Sequence, residues 1–265
     1  MKKIIIAILT FSFHLQMFAT AQTPDWLIYK GDTIAIFTNP LEQFENIDSL
    51  RSELKLYSIS TDCWRGYTAE WAIIDNQLYL MGIYGCHSNR KKGCAKIDWG
   101  DFFGERHING KIKADWFTGN IISPQGELLH YEHMGYESLY ERELEFRFEN
   151  GILTGTELYS NKIKHSVYNQ DRVKLMEYIY SNINWNILPK PDSVDKIKVL
   201  VKVSANEEGI IDMAEIVRGY NEIYDQEAIR VVKSIPEWEI YYRRGGKIRY
   251  YWAIPIIFNF NEGNE

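Results

Sequence analysis

The chain is 265 residues long, 45% hydrophobic and 25% charged, the composition of a globular protein with a real core. Its net charge of −6 argues against a nucleic-acid-binding surface, which would carry a basic excess. The 14% aromatic share, with 18 Tyr and 8 Trp, suits β-rich structure and binding surfaces.

At the N-terminus, Lys2 and Lys3 precede an apolar run from Ile4 to Phe18 and then "ATAQ". A charged start, a short apolar core and a small-x-small site are the parts of a secretory signal peptide, here residues 1–21 with cleavage after Ala21. The alternative is a membrane anchor. A spanning helix wants roughly 20 apolar residues, and this run is shorter and carries His14 and Gln16. No Cys follows the run, which disfavours a lipid anchor. The expectation is a soluble exported protein, periplasmic or secreted, with no stable membrane anchor. Roughly 240 residues then remain, room for one large domain or two ordinary ones.

From Trp26 to about Ser160 short strands alternate with turns. "DWLIYKGDTIAIF" turns at Lys30-Gly31-Asp32, "YTAEWAIIDNQLYLMGIY" at Asp75-Asn76, and "ELEFRFENGILTGTEL" at Asn150-Gly151. "IKADWFTGNII" is expected to turn at Pro124–Gly126 into "ELLHYEHM". Leu41–Leu54 is the one weakly helical stretch. The segment 22–165 therefore reads as a mostly antiparallel β domain, to which the sequence attaches no function.

Three cysteines follow the leader: Cys63, Cys86 and Cys94. A turn at Asp75-Asn76 pairs Ile74 with Gln77 and sets Cys63 opposite the region of Cys86 to Asn89. A diagonal offset or one bulge would bring Cys63 and Cys86 within the roughly 4.4–6.8 Å between Cα atoms that a disulfide needs. Cys86–Cys94, closing "CHSNRKKGC", is the rival.

Chemistry-bearing clusters in this half are sparse. His130 and His133, with Glu132 and Glu137, stand at i and i+3, which on a strand point to opposite faces. A zinc centre wants three or four convergent ligands. Cys86-His87 are neighbours in sequence, which is not the spatial pairing a nucleophile needs. Asp98, Asp101 and Glu105 lie near Trp99, Phe102 and Phe103, and carboxylates beside aromatics are what glycosidases use. A charged loop over a core is the plainer explanation. No phosphate loop, nucleophile elbow or zinc-protease helix motif is present. No cofactor or metal is expected, and no catalytic residue is assigned.

The grammar changes after Tyr159. "DRVKLMEYIYSNI" sets Val173, Met176, Tyr180 and Ile183 on one helical face, with Asn169 or Asp171 as the start signal. "KIKVLVKVS", the turn "ANEEG" and "IIDMAEIVRG" read as a hairpin. Asp225 is expected to open a helix carrying Ala228, Val231, Val232 and Ile235, which Pro236 ends. "KIRYYWAIPIIFNF" reads as one last strand.

"KVLVKVSANEEGIIDMAEIVRGYNEIYDQEAIRVVKSIPEW", followed by "GGKIRYYWAIPIIF", resembles the C-terminal domain of TonB-type energy transducers over residues 172–260. The resemblance implies a small α+β fold, two helices against a short antiparallel sheet. It also implies a periplasmic module that takes a short peptide from a partner by strand addition, an outer-membrane receptor being one candidate partner. A transducer also needs an inner-membrane anchor and a long Pro-rich spacer, and its Trp-Pro-Gly pattern is here Glu239-Ile240-Tyr241-Tyr242 after Trp238. The implied function is peptide binding without energy coupling. The expected class is α+β: the β domain followed by a TonB C-terminal-like domain over 166–265.

Read from residues alone, a final strand at a sheet edge leaves backbone N–H and C=O groups open to an incoming strand. The candidate peptide-binding residues are Tyr250, Tyr251, Trp252, Ala253, Ile254 and Ile256. Tyr250, Trp252, Ile254, Ile256 and Phe258 form one face; Tyr251, Ala253, Pro255 and Ile257 form the other. Arg243, Arg244, Lys247 and Arg249 form a basic entrance able to steer an acidic peptide. The alternatives are an edge covered by the rest of the chain, and an envelope enzyme, a carbohydrate hydrolase, using the aromatic-rich first domain.

Overall fold

The computed structural model describes residues 21–58, 60–86, 97–99, 101–133, 135–191 and 194–260. The chain is mixed α/β and mostly sheet. It divides into two compact units. The first holds Met1–Ser123, His130–Ser138 and Phe146–Gly155; the second holds Pro124–Leu129, Leu139–Glu145 and Thr156–Glu265.

In the first unit β1 (Asp25–Tyr29) and β2 (Asp32–Ile36) form a hairpin, and α1 (Ile47–Glu53) is the helical part of Leu41–Leu54 after a 3-10 turn at Pro40–Gln43. Then come β3 (Tyr67–Ile74), β4 (Gln77–Gly85), β5 (His107–Ile108) and β6 (Lys111–Lys113). β7 (Gly119–His130), β8 (Leu139–Glu149) and β9 (Ile152–Ser160) contribute residues to both units. The strand order is β2-β1-β3-β4-β9-β8-β7, with β6 on β4 and β5 on β6. β1 meets β3 in parallel; β3 and β4 are antiparallel.

Asp75 and Asn76 both take positive φ (48° and 62°), the backbone that a two-residue hairpin turn needs and that Asp and Asn tolerate. Leu27, Trp71, Leu78, Leu80, Ile83 and Phe117 are fully buried in this unit. The buried Asp25 carboxylate accepts from Ala69 N–H (2.9 Å) and Trp71 Nε1–H (3.2 Å) and pairs with buried Arg65 (3.4 Å). Burial pushes the Asp25 carboxyl up; Arg65 pulls it back only in part.

The expected turn at Pro124–Gly126 does not form. The strand β7 runs straight through it. β7 is the last strand of its sheet, where a missing proline N–H is tolerated. Gly126 takes φ +78°, and a Cβ there would fall 2.2 Å from the Glu141 carboxylate, whose Oε2 accepts from Glu127 N–H. Glycine is what lets the strand carry this local distortion.

In the second unit β10 (Lys162–Lys164) pairs with β13 (Ile240–Arg243), and β13 with β14 (Gly246–Ile248). α2 (Val167–Gln170) and α3 (Arg172–Asn182) precede β11 (Lys196–Ala205), β12 (Ile211–Arg218), α4 (Glu222–Lys233) and β15 (Trp252–Asn259). The second sheet of this unit has the order β12-β11-β15. Its core joins Val199, Val201 and Val203 of β11 to Ala228, Val231 and Val232 of α4 and to Leu175 and Ile179 of α3.

Three boundaries differ from the sequence reading. Asp171 caps α3 as expected, its carboxylate accepting from Val173 and Lys174 N–H. Of the expected face Ile183 is buried and Met176 packs against the core, but Val173 is 65% exposed, and Leu175 and Ile179 are the buried residues within the helix. α4 starts at Glu222, where Asn221 caps Tyr224 N–H, and Asp225 accepts instead from Tyr220 N–H. The final run is two strands in two sheets, β14 and β15, broken at Arg249–Tyr251.

Candidate functional site

β15 is an end strand of its sheet, paired on one side with β11. The register sets Ile257 opposite Lys198, Pro255 opposite Leu200 and Ala253 opposite Lys202 without a bulge. Phe260 N–H donates to Asp195 C=O (3.1 Å), which fixes the phase of the ladder. Alternate residues Phe258, Ile256, Ile254 and Trp252 then turn their backbone groups toward β11. Ala253, Pro255 and Ile257 turn theirs away from it. Proline is thus placed where its missing N–H costs no ladder bond.

The same alternation sorts the side chains. Ile254, Ile256 and Phe258 are buried against α3 and α4. Ala253 is exposed and Ile257 is 39% exposed, on the face away from the helices. Beyond Ile257 the Tyr180 hydroxyl of α3 donates to Asn259 C=O (3.1 Å) and closes that end of the edge. Among the described residues, the outward length without a backbone partner runs from Ala253 to Ile257.

Of the six residues expected in the binding strand, Trp252, Ala253, Ile254 and Ile256 lie in β15, and Tyr250 and Tyr251 precede it. Tyr250 packs edge-on against Tyr241 (4.7 Å between centroids), and Tyr251 carries Lys202 over its ring at 4.2 Å. Ile254 and Ile256 are core residues and cannot present side chains to a ligand. Ile257 lies in β15 with the same outward phase as Ala253 and Pro255, the parity that Pro255 marks.

The four residues of the basic entrance are all engaged inside the second unit. Arg243 pairs with Glu143 (2.8 Å), and Arg244 with Glu143 (2.7 Å) and Glu145 (2.5 Å). Those carboxylates are buried, so the arginines neutralise charge that would otherwise be stranded. Lys247 Nζ donates to Ala205 C=O (2.7 Å). Arg249 donates to Ser204 Oγ (2.9 Å) and grips Asp212 with both terminal nitrogens (3.0 and 2.6 Å). These are fastenings of the fold, not open cations.

Cys63 and Cys86 form a disulfide with Cα atoms 5.8 Å apart. The register shift between Glu70 and Trp71 carries the ladder away from Cys86, not toward it; Cys63 meets Cys86 from the 3-10 turn Thr61–Cys63, which precedes β3 and stands outside the ladder. The rival partner Cys94 lies outside the described residues, as does His87. His130 Nε2 approaches Glu132 (3.7 Å) while His133 Nδ1 meets the Tyr131 hydroxyl (2.8 Å), so the two imidazoles engage different partners. Among the described residues no group of three or more His, Cys, Asp or Glu is placed to hold a metal ion.

The acidic set is dispersed. Asp98 lines a cleft of about 310 Å³ with Trp99 and His107; Glu105 lines another, of about 530 Å³, with Phe103, Lys113 and Asp115. In the second cleft Asp115 is held by Arg106 (2.8 Å), which also pairs with Glu45 (2.6 Å). Among the described residues no helix is long and apolar enough to cross a membrane. No family model, no curated protein and no solved structure matches the chain.

Proposed function

We propose that this is a non-catalytic exported protein whose C-terminal unit binds an extended peptide segment of a cell-envelope partner by strand addition along β15. The observation that carries the reading is the outward phase of Ala253, Pro255 and Ile257 on an end strand. Such an edge gives an incoming strand donors at Ala253 and Ile257 and acceptors at all three positions. The small exposed side chain of Ala253 and the half-exposed Ile257 leave room for a neighbour. The TonB-like order of helix, hairpin, helix and strand supports the same mode, with the signal-like N-terminus as support for a periplasmic location. Energy coupling is no part of the proposal.

The test begins with peptides selected from a displayed random library against the mature chain. Ile257→Pro removes an outward N–H at a position that shares the edge phase of Pro255. It should fold normally and weaken the selected peptides roughly tenfold or more. Ile256→Ala serves as contrast: it should cost about 2–5 kcal/mol of stability through a core cavity. Unchanged peptide affinity in a folded Ile257→Pro chain rejects strand addition here.

A further inference from the structure

On the face of the C-terminal sheet away from the helices, β11 and the end of β12 border a pocket of about 360 Å³. Lys196 and Lys198 reach it from β11, two residues apart and so on one face; Arg218 reaches it from β12, opposite Leu200. All three are exposed, and among the described residues their side chains have no ion pair or hydrogen bond. The rest of the lining is apolar or aromatic, with Val194, Leu200 and Tyr220. Two acids stand near it: Asp225, whose Oδ1 accepts from Tyr220 N–H (2.9 Å) behind Gly219, and exposed Asp195, between the lining residues Val194 and Lys196 in the chain.

In a chain of net charge −6, three cations that converge on one pocket, with no side-chain partner among the described residues, contrast with the arginines beside the final strand. Those arginines are all matched to carboxylates, as Arg243, Arg244 and Arg249 show. Like charges gathered on adjacent strands repel one another, a cost that a bound anion would offset. Lys198 is also the cross-strand neighbour of Ile257, so the pocket lies one strand in from the open edge.

We infer that the pocket formed by Lys196, Lys198 and Arg218 is a carboxylate-binding site that selects acidic peptide segments. The class of partner rests on the strand-addition reading; the sign of its charge rests on the pocket alone. Arg218 supplies a fork suited to a carboxylate, and the two lysines supply point charges beside it. The apolar floor accommodates the methylene stem of a glutamate side chain.

The probe is a fluorescent octaglutamate peptide, read by anisotropy with the full mature chain at low salt. Wild type should bind it, and binding should fall as salt rises. The neutral double variant Lys198→Gln/Arg218→Gln should bind about tenfold more weakly. Equal affinity in the double variant overturns the site. So does full displacement of the peptide by an equal concentration of inorganic phosphate, which would make it a small-anion site, or binding to anionic phospholipid vesicles in place of the peptide. A wild type that ignores octaglutamate yet holds library-selected peptides in an Ile257-dependent way removes the pocket and leaves strand addition standing. Octaglutamate held through Lys198 and Arg218, with no Ile257-dependent peptide, does the reverse.

Discussion

Glu227 shows how a single carboxylate ties the C-terminal unit together. Its side chain is buried on α4, where Oε1 accepts from Asn184 N–H (2.6 Å) and both oxygens take Arg230 (2.7 Å each). Arg230 also donates to Asn182 C=O, so the end of α3 is fastened to α4 through this one pair. Burial alone would push the Glu227 carboxyl up; the Arg230 guanidinium and the Asn184 N–H outweigh it and leave it below the usual range. A carboxylate held down in the fold stabilises above its unfolded pKa and loses that contribution as pH falls through the folded value. Glu227→Gln should therefore cost roughly 1–3 kcal/mol at pH 7, and should flatten the loss of stability between about pH 5 and pH 3. Urea unfolding of both chains across that window checks this, and parallel pH profiles would contradict it. In the turn before β12, Gly209 takes φ +88° with Trp238 C=O 3.0 Å from where a Cβ would stand.

At the scale of elements, the β3–β4 hairpin was legible almost throughout. Asp75-Asn76 fixed the register; the bulge at Glu70/Trp71 shifts it away from Cys86, and the 3-10 turn Thr61–Cys63, which the sequence reading did not include, is where Cys63 meets it. The bridge closes a loop of 23 residues in sequence separation, for which chain entropy suggests about 3 kcal/mol. Cys63→Ser/Cys86→Ser should lower unfolding stability by that order in oxidising buffer and match the wild type under reductant; an unchanged midpoint would show the bridge to be idle. Other elements hid behind strong local signals. Pro124-Gln125-Gly126 has the composition of a turn, and only the end position of β7 explains why a strand passes through it. "KIRYYWAIPIIFNF" favours strand at every position, so nothing local marks the break where Arg249 turns to Asp212 and Tyr250 to Tyr241. The internal partners of the four basic residues were hidden for a related reason. Charge in sequence does not reveal partners, and Glu143 and Glu145 lie about a hundred residues from Arg243 and Arg244. Pro255, by contrast, carried its information locally, because a proline within a strand run points to an edge.

At the scale of the whole molecule, the mostly sheet chain includes the end strand β15, with Ala253, Pro255 and Ile257 phased away from β11, and a pocket lined by Lys196, Lys198 and Arg218, which have no side-chain partner among the described residues. The proposed strand addition acts on two amides, and hydrogen exchange read by NMR addresses them individually. In the free chain Ala253 and Ile257 should exchange fast, and Ile254, Ile256 and Phe258, bonded to β11, should be protected. Saturation with a library-selected peptide should slow Ala253 and Ile257 by about tenfold or more, leaving the inner three unchanged. Exchange at Ala253 and Ile257 that stays fast under a fully bound peptide would contradict strand addition along β15.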